Sequence, residues 1–195
     1  TLVRFVRINA RQEVEEKEHA LRAEASERKK MEGLANSDGL TGLLNERCFN
    51  KTLKEKEQQG EPFVLFYLDL DRFKPVNDTY GHDVGDQLLK AVAGRLRSCV
   101  RNTDYAFRIG GDEFALIVNG EVDAEWCAQR METIKSIIRQ TYVLEGQTID
   151  ISTSCGVVCY PADSADVREL RILADQRMYE DKQKTGSSRS IKQKI

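Results

Sequence analysis

The chain has 195 residues, room for one ordinary domain of about 150 residues plus an appendage. A hydrophobic fraction of 40%, a charged fraction of 32% and only three prolines exclude disorder and a fibrous repeat. Thirty basic against 32 acidic residues leave a net charge of -2, which offers no footprint for a nucleic-acid polymer, although a small charged ligand fits such a surface.

The longest apolar run, Phe63 to Leu68, is far shorter than the roughly 20 residues of a membrane helix, and no signal-peptide pattern opens the chain. The segment in view therefore reads as cytoplasmic. A start at Thr1 rather than methionine suggests a fragment whose upstream sensor or membrane anchor is out of view.

Residues 1–36 are predicted to form one long helix: the run from Arg11 to Lys30 is dense in Glu, Lys, Arg and Ala. Thirty-five helical residues would span about 50 Å, too long to pack on one small domain, so the helix is expected to project and pair with a partner chain. Val14, Leu21 and Ala35 share a heptad rhythm that Arg28 interrupts, and a second seam offers Val3, Ala10 and Met31 with Lys17 and Glu24 between. A solvated single helix stays open beside the coiled coil. Asn36-Ser37-Asp38-Gly39 breaks the helix, with Thr41 or Asp38 read as the cap of a next helix beginning near Gly42.

From Phe63 a continuous apolar run reads as a buried central strand that exits in Asp69-Leu70-Asp71. Helical spacing returns from Gly85 to Val100, and two strands, Tyr105–Ile109 and Phe114–Val118, flank a glycine hairpin. A helix over 123–140, strands at Tyr142–Leu144 and Ile149–Tyr160 around a Glu145-Gly146-Gln147 turn, and a last helix from Val167 to about Lys184 complete the chain. The order implies an α+β fold with a mixed or antiparallel central sheet flanked by helices.

The cysteines, Cys48, Cys99, Cys127, Cys155 and Cys159, lack zinc-site spacing and read as reduced core residues. Cys155 and Cys159 lie about 13 Å apart along a strand, too far for a redox pair.

Asp69 and Asp71, two apart at a strand exit, point to one side of the sheet, where they can hold a divalent cation or simply form a turn. Gly110-Gly111 permits a tight turn that presents Asp112 and Glu113. Strand neighbours face opposite ways, so only one of these acids is expected to face Asp69 directly.

Gly110-Gly111-Asp112-Glu113-Phe114 resembles the signature of the GGDEF diguanylate cyclases. Three further segments fit the family in order: Asp38-Gly-Leu-Thr-Gly-Leu-Leu-Asn45, Asp69-Leu-Asp-Arg-Phe-Lys74, and Asn77-Asp-Thr-Tyr-Gly-His82 followed by Gly85-Asp86. The resemblance covers about residues 36–186, dividing the chain into a signalling helix (1–36) and a cyclase domain (37–195) with a palm-like sheet.

It implies a homodimer, one GTP half-site per subunit, that makes cyclic di-GMP and two pyrophosphates under an upstream sensor. The implied metal ligands are Asp69, the Leu70 carbonyl, Asp112 and Glu113, holding Mg2+ or Mn2+. Asp112, Glu113 and Lys74 are the implied catalytic residues. Phe73, Lys74, Asn77, Asp86, Gly110, Gly111 and Lys182 are implied in substrate binding.

Read without that resemblance, Lys74 is a solvated loop lysine, Asn77 a turn residue and Asp86 a helix cap. Arg101-Asn-Thr-Asp104 resembles the product-inhibition motif RxxD, with Arg108 as a helper, or else a surface Arg-Asp pair. The C-terminal phosphate-contact region matches only in part: Lys182 carries over, no arginine directly follows Gly186, and neither Lys184 nor Arg189 has a spacing that establishes it as the substitute. A catalytically silent module that binds GTP or cyclic di-GMP is the alternative reading.

Overall fold

The structure, a computed structural model, describes residues 35–184 throughout and, before them, Lys17, His19, Leu21, Arg22, Glu24, Glu27 and Gly33. The chain divides into two compact units, residues 1–37 and 38–195. In the first, the described residues from Lys17 to Ala35 are helical and exposed. The expected seam positions Val3, Ala10, Val14, Arg28 and Met31 lie outside the described residues.

In the second unit the elements are α1 (Glu46–Gln59), β1 (Phe63–Asp71), α2 (Phe73–Tyr80), α3 (His82–Ser98), β2 (Tyr105–Gly110), β3 (Glu113–Asn119), α4 (Ala124–Arg139), β4 (Tyr142–Leu144), β5 (Gln147–Ile149), β6 (Ser152–Tyr160) and α5 (Val167–Lys184). The main sheet has the order β2-β3-β1-β6 with every neighbouring pair antiparallel, and β4-β5 is a separate hairpin. This is the α+β architecture expected from the sequence, with the sheet wholly antiparallel.

The apolar run of β1 is continuous because both faces of the strand are covered. Val64, Phe66, Leu68 and Leu70 join one core with Leu88, Val92 and Leu96 of α3 and Ile134 and Ile138 of α4. Phe63, Leu65 and Tyr67 point the other way, into a second core with Phe49 and Leu53 of α1 and Leu170, Ala174 and Met178 of α5. The side-chain period of two thus splits one strand between two helical layers.

Both outer edges of the sheet are covered, which removes a template for pairing with another chain. Along β2, Leu44 N donates to Ala106 O and Arg108 N to Leu44 O. Along β6, Cys155 N donates to Asp181 Oδ2, Arg177 Nη1 to Val157 O, and Cys159 N to Asp163 Oδ2. Helix α5 lies close enough that Gly156 is required: a Cβ there would stand 1.9 Å from Ala174 O.

Four boundaries differ from the sequence expectation. Helix α1 begins at Glu46, not near Gly42, because the Asn45 side chain caps it by accepting from Cys48 N. Asp38 instead accepts from Thr41 N and Oγ1 within its own loop. Residues 73–80 form a short helix where Lys74 and Asn77 read as loop and turn residues; Pro75 lies in its first turn, where no intrahelical N–H bond is lost. The strand expected over 149–160 is split between β5 and β6, and the β4-β5 turn is Glu145-Gly146 alone, both at positive φ (49° and 76°), the type I′ pattern.

Candidate functional site

The acids converge where β1 ends. Asp69 and Glu113 are register partners across β1 and β3, so their side chains share a sheet face. Glu113 closes a two-residue hairpin whose first central residue, Gly111, has φ 52°, a conformation that favours glycine. Asp112 is the second central residue, and its carbonyl accepts from Leu70 N at 3.1 Å, tying the turn to the strand exit. The acid facing Asp69 is therefore Glu113, with Asp112 beside them.

Asp71 has a different task from the one its position suggested. It is 3% exposed, and its two carboxylate oxygens accept from Ser152 Oγ (2.6 Å) and Ser154 Oγ (2.7 Å), which locks β1 to β6. Asp69 instead meets α5: Lys182 Nζ lies 2.5 Å from its Oδ1. Tyr67 approaches from within the core and donates from its hydroxyl to Glu113 Oε2 at 3.4 Å.

The electrostatics follow from crowding like charges in a half-buried place. Burial raises the Asp69 carboxyl; the Lys182 ammonium opposes that rise, and the charges of Asp112 and Asp71 reinforce it. Burial likewise raises Glu113, with Asp69, Asp175 and Asp112 adding to it. Tyr67 is pushed up to about 12 by its burial and by the charge of Glu113.

Among the described residues no group of three or more His, Cys, Asp or Glu side chains is assembled as a metal centre. The donor chemistry nevertheless fits a hard divalent cation: Asp69, Asp112, Glu113 and the Leu70 carbonyl offer only oxygen. Lys182 places a cation against Asp69, so positive charge is already accommodated there.

A second cluster is built by α2 and α3. Gly85, on the first turn of α3, is buried beneath Asn77: a Cβ at Gly85 would stand 1.8 Å from Asn77 Oδ1. Asn77 therefore sits inside α2 rather than in a turn. Asp86 is exposed within α3, not at its cap, and Lys74 is exposed on the first turn of α2. Phe73, expected among the substrate-binding residues, is only 9% exposed and is packed in the core beneath this cluster.

Arg108 is committed near the hairpin. Its Nη1 contacts both carboxylate oxygens of Asp38 (3.1 and 3.2 Å), and its Nε and Nη2 donate to Gly111 O. Asp104 stands just before β2, four positions and about 13 Å of extended chain from Arg108, and Arg101 lies beyond it in the preceding turn. Arg108 is thus not gathered with them as the sequence suggested. Asp104 accepts from Asn119 N and Arg101 N, and Arg101 is exposed.

Tyr67, Ser152, Ser154 and Asp175 escaped the sequence reading, because only strand register and the path of α5 bring them to the acids. Lys184 is exposed; Gly186 and Arg189 lie outside the described residues. Among the described residues no helix is long and apolar enough to cross a membrane.

Residues 35–188 match the family described as diguanylate cyclase, GGDEF domain. The uncharacterized protein YhcK of Bacillus subtilis is 40% identical over 163 residues, 80% of this chain and 45% of that protein. Diguanylate cyclase DgcZ of Escherichia coli is 37% identical over 160 residues, 80% of this chain and 53% of that one. Among solved structures, the coiled coil and GGDEF domain of DgcB from Caulobacter crescentus, in complex with c-di-GMP, matches with a TM-score of 0.76 at 28% identity, covering 88% of this chain and 93% of that chain. The chain spans about half the length of these curated relatives.

Proposed function

The chain belongs to the GGDEF-domain diguanylate cyclase family, and on that premise we propose that it condenses two GTP molecules into cyclic di-GMP and two pyrophosphates. The observation that carries this reading is the placement of Glu113 opposite Asp69, with Asp112 in the adjoining turn and Lys182 reaching in from α5.

Asp69, Asp112, Glu113 and the Leu70 carbonyl would hold a divalent metal, magnesium with manganese as the substitute, which when bound offsets triphosphate charge. Asn77 and Asp86 recognise guanine: the carboxylate accepts from N1–H and the exocyclic amine, a donor pair that adenine lacks. Lys74 and Lys182 place point charges on phosphate, and Gly110-Gly111 lets the backbone approach it. The 3′-hydroxyl of one GTP displaces pyrophosphate from the α-phosphorus of the other. Both nucleotides act as nucleophile and electrophile, so two subunits each present one GTP, and the active form is a homodimer.

Arg101 and Asp104 form the product-inhibition site. The exposed guanidinium forks onto guanine O6 and N7 of cyclic di-GMP, and Asp104 accepts from the base. Residues 1–36 act as a signalling helix that sets how the half-sites meet. A chain starting at Asp38 with unchanged activity and dimer fraction would remove that role.

The deciding experiment follows pyrophosphate release from GTP with magnesium and identifies the product by mass, beside an Asp112→Asn/Glu113→Gln double variant. Cyclic di-GMP from the parent alone supports the cyclase. Nucleotide binding without product, at protein concentrations that enforce dimers, makes the domain a silent receptor.

A further inference from the structure

Cys127 and Cys159 come from elements 32 residues apart, yet their Sγ atoms lie 3.6 Å from each other. Both backbones are fixed independently. Cys127 stands in the first turn of α4, where its N–H donates to Asp123 O at 3.1 Å. Cys159 is paired with Val64 across the sheet, and its N–H donates to Asp163 Oδ2 at 2.7 Å. The meeting of the two sulphurs is therefore set by secondary structure. Reaching a disulfide bond length of about 2.05 Å asks for a sulphur movement of about 1.5 Å.

We propose that Cys127 and Cys159 are a redox modification site that closes into an intramolecular disulfide under peroxide, joining the start of α4 to the outer strand β6. The partner suggested by sequence proximity, Cys155, is not the one used: it is buried, with its thiol directed at Gly156 O.

The two cysteines divide the chemistry by exposure. Cys159 is partly open to solvent, whereas Cys127 is 7% exposed. Peroxide meets Cys159 first: its sulphur attacks one peroxide oxygen, the O–O bond breaks, and a water leaves behind a sulfenic acid. Cys127 sulphur then attacks Cys159 sulphur, the S–O bond breaks, and the second water leaves. Two thiols lose two electrons and two protons, and one hydrogen peroxide is reduced to two waters. Burial, together with the hydrogen bond to Cys159, pushes the Cys127 thiol up to about 12, so Cys127 is the slower, resolving partner.

The test treats the full 195-residue chain with hydrogen peroxide, quenches with catalase, and maps peptides by mass without reduction. The expected result is a linked peptide pair holding Cys127 and Cys159, with free thiols falling from five toward three and recovering with a dithiol reductant. The thermal midpoint of the oxidised chain is expected to rise by about 5–10 °C. Cys159→Ser abolishes the linked pair and Cys48→Ser keeps it. A thiol count that stays at five, overoxidation of Cys159 without linkage, or linkage through Cys48, Cys99 or Cys155 overturns the proposal. The readout is the sulphurs themselves, so it stands apart from whether the domain turns over GTP.

Discussion

Lys182 Nζ lies 2.5 Å from Asp69 Oδ1, with both side chains partly buried, so the last turns of α5 hold a cation against an acid proposed as a metal ligand. On that proposal, ammonium and metal compete for one carboxylate. Lys182→Met keeps the stem and removes the charge. It is expected to lower the magnesium concentration for half-maximal activity several-fold while raising KM for GTP about tenfold, or about 1.4 kcal/mol. Metal titrations at saturating GTP, and the reverse, read the two effects separately. A variant with raised KM and unchanged metal dependence would limit Lys182 to phosphate contact.

Gly85 offers a sharper probe of the proposed guanine contacts than truncating them. The atom a Cβ would strike is Asn77 Oδ1, the far end of a side chain, so Gly85→Ala is expected to turn Asn77 away while leaving α3 in place. KM for GTP should rise about tenfold with little change in thermal midpoint. In an Asn77→Ala background the same substitution should add almost nothing, the mark of two changes acting through one contact. Full additivity in that cycle would detach Gly85 from base recognition.

Much of this was legible in the residues. The Phe63–Leu68 run reads as a buried strand, and Gly110-Gly111 between two strand patterns as a turn that presents acids; the structure has both. What the sequence hid was the environment of each acid. Asp69 and Asp71 look equivalent at a spacing of two, yet Asp71 is held by Ser152 and Ser154 while Asp69 faces Glu113 and Lys182. That distinction depends on β6 pairing with β1, a contact more than 80 residues away in the chain. Helix α2 was missed for a local reason: eight residues rich in turn formers carry too little periodicity to separate helix from loop.

Acid stability is expected to depend on Asp163. Burial raises this carboxyl, but hydrogen bonds from Arg177 and from Cys159 N outweigh it and hold the group below its ordinary 3.8. A depressed folded-state value means the stabilisation is fully present above pH 3.8 and lost as pH falls through the lower folded value. Urea unfolding of Asp163→Asn beside the parent should therefore show a deficit at pH 6 that shrinks as pH falls below 3.8 through the lower folded value. A deficit independent of pH would assign the effect to packing at the end of β6 rather than to charge.

Two glycines that look alike in sequence should respond to alanine in opposite directions. At Gly156 the new Cβ would meet Ala174 O at 1.9 Å and Met178 N at 2.6 Å, both backbone atoms of α5, so the helix itself must move. Overpacking of this kind costs about 1–3 kcal/mol. Because α5 also carries Lys182 and the residues that cap the β6 edge, Gly156→Ala should lower turnover as well as stability. Gly94 lies exposed inside α3 with nothing within 4 Å of its Cβ position, and Gly94→Ala should stabilise by roughly 0.5–1 kcal/mol through helix propensity alone. Thermal melts of the two variants decide the matter: equal shifts would mean that α5 can slide along β6 at no cost, and the edge contacts of Asp181, Arg177 and Asp163 would then not fix its position.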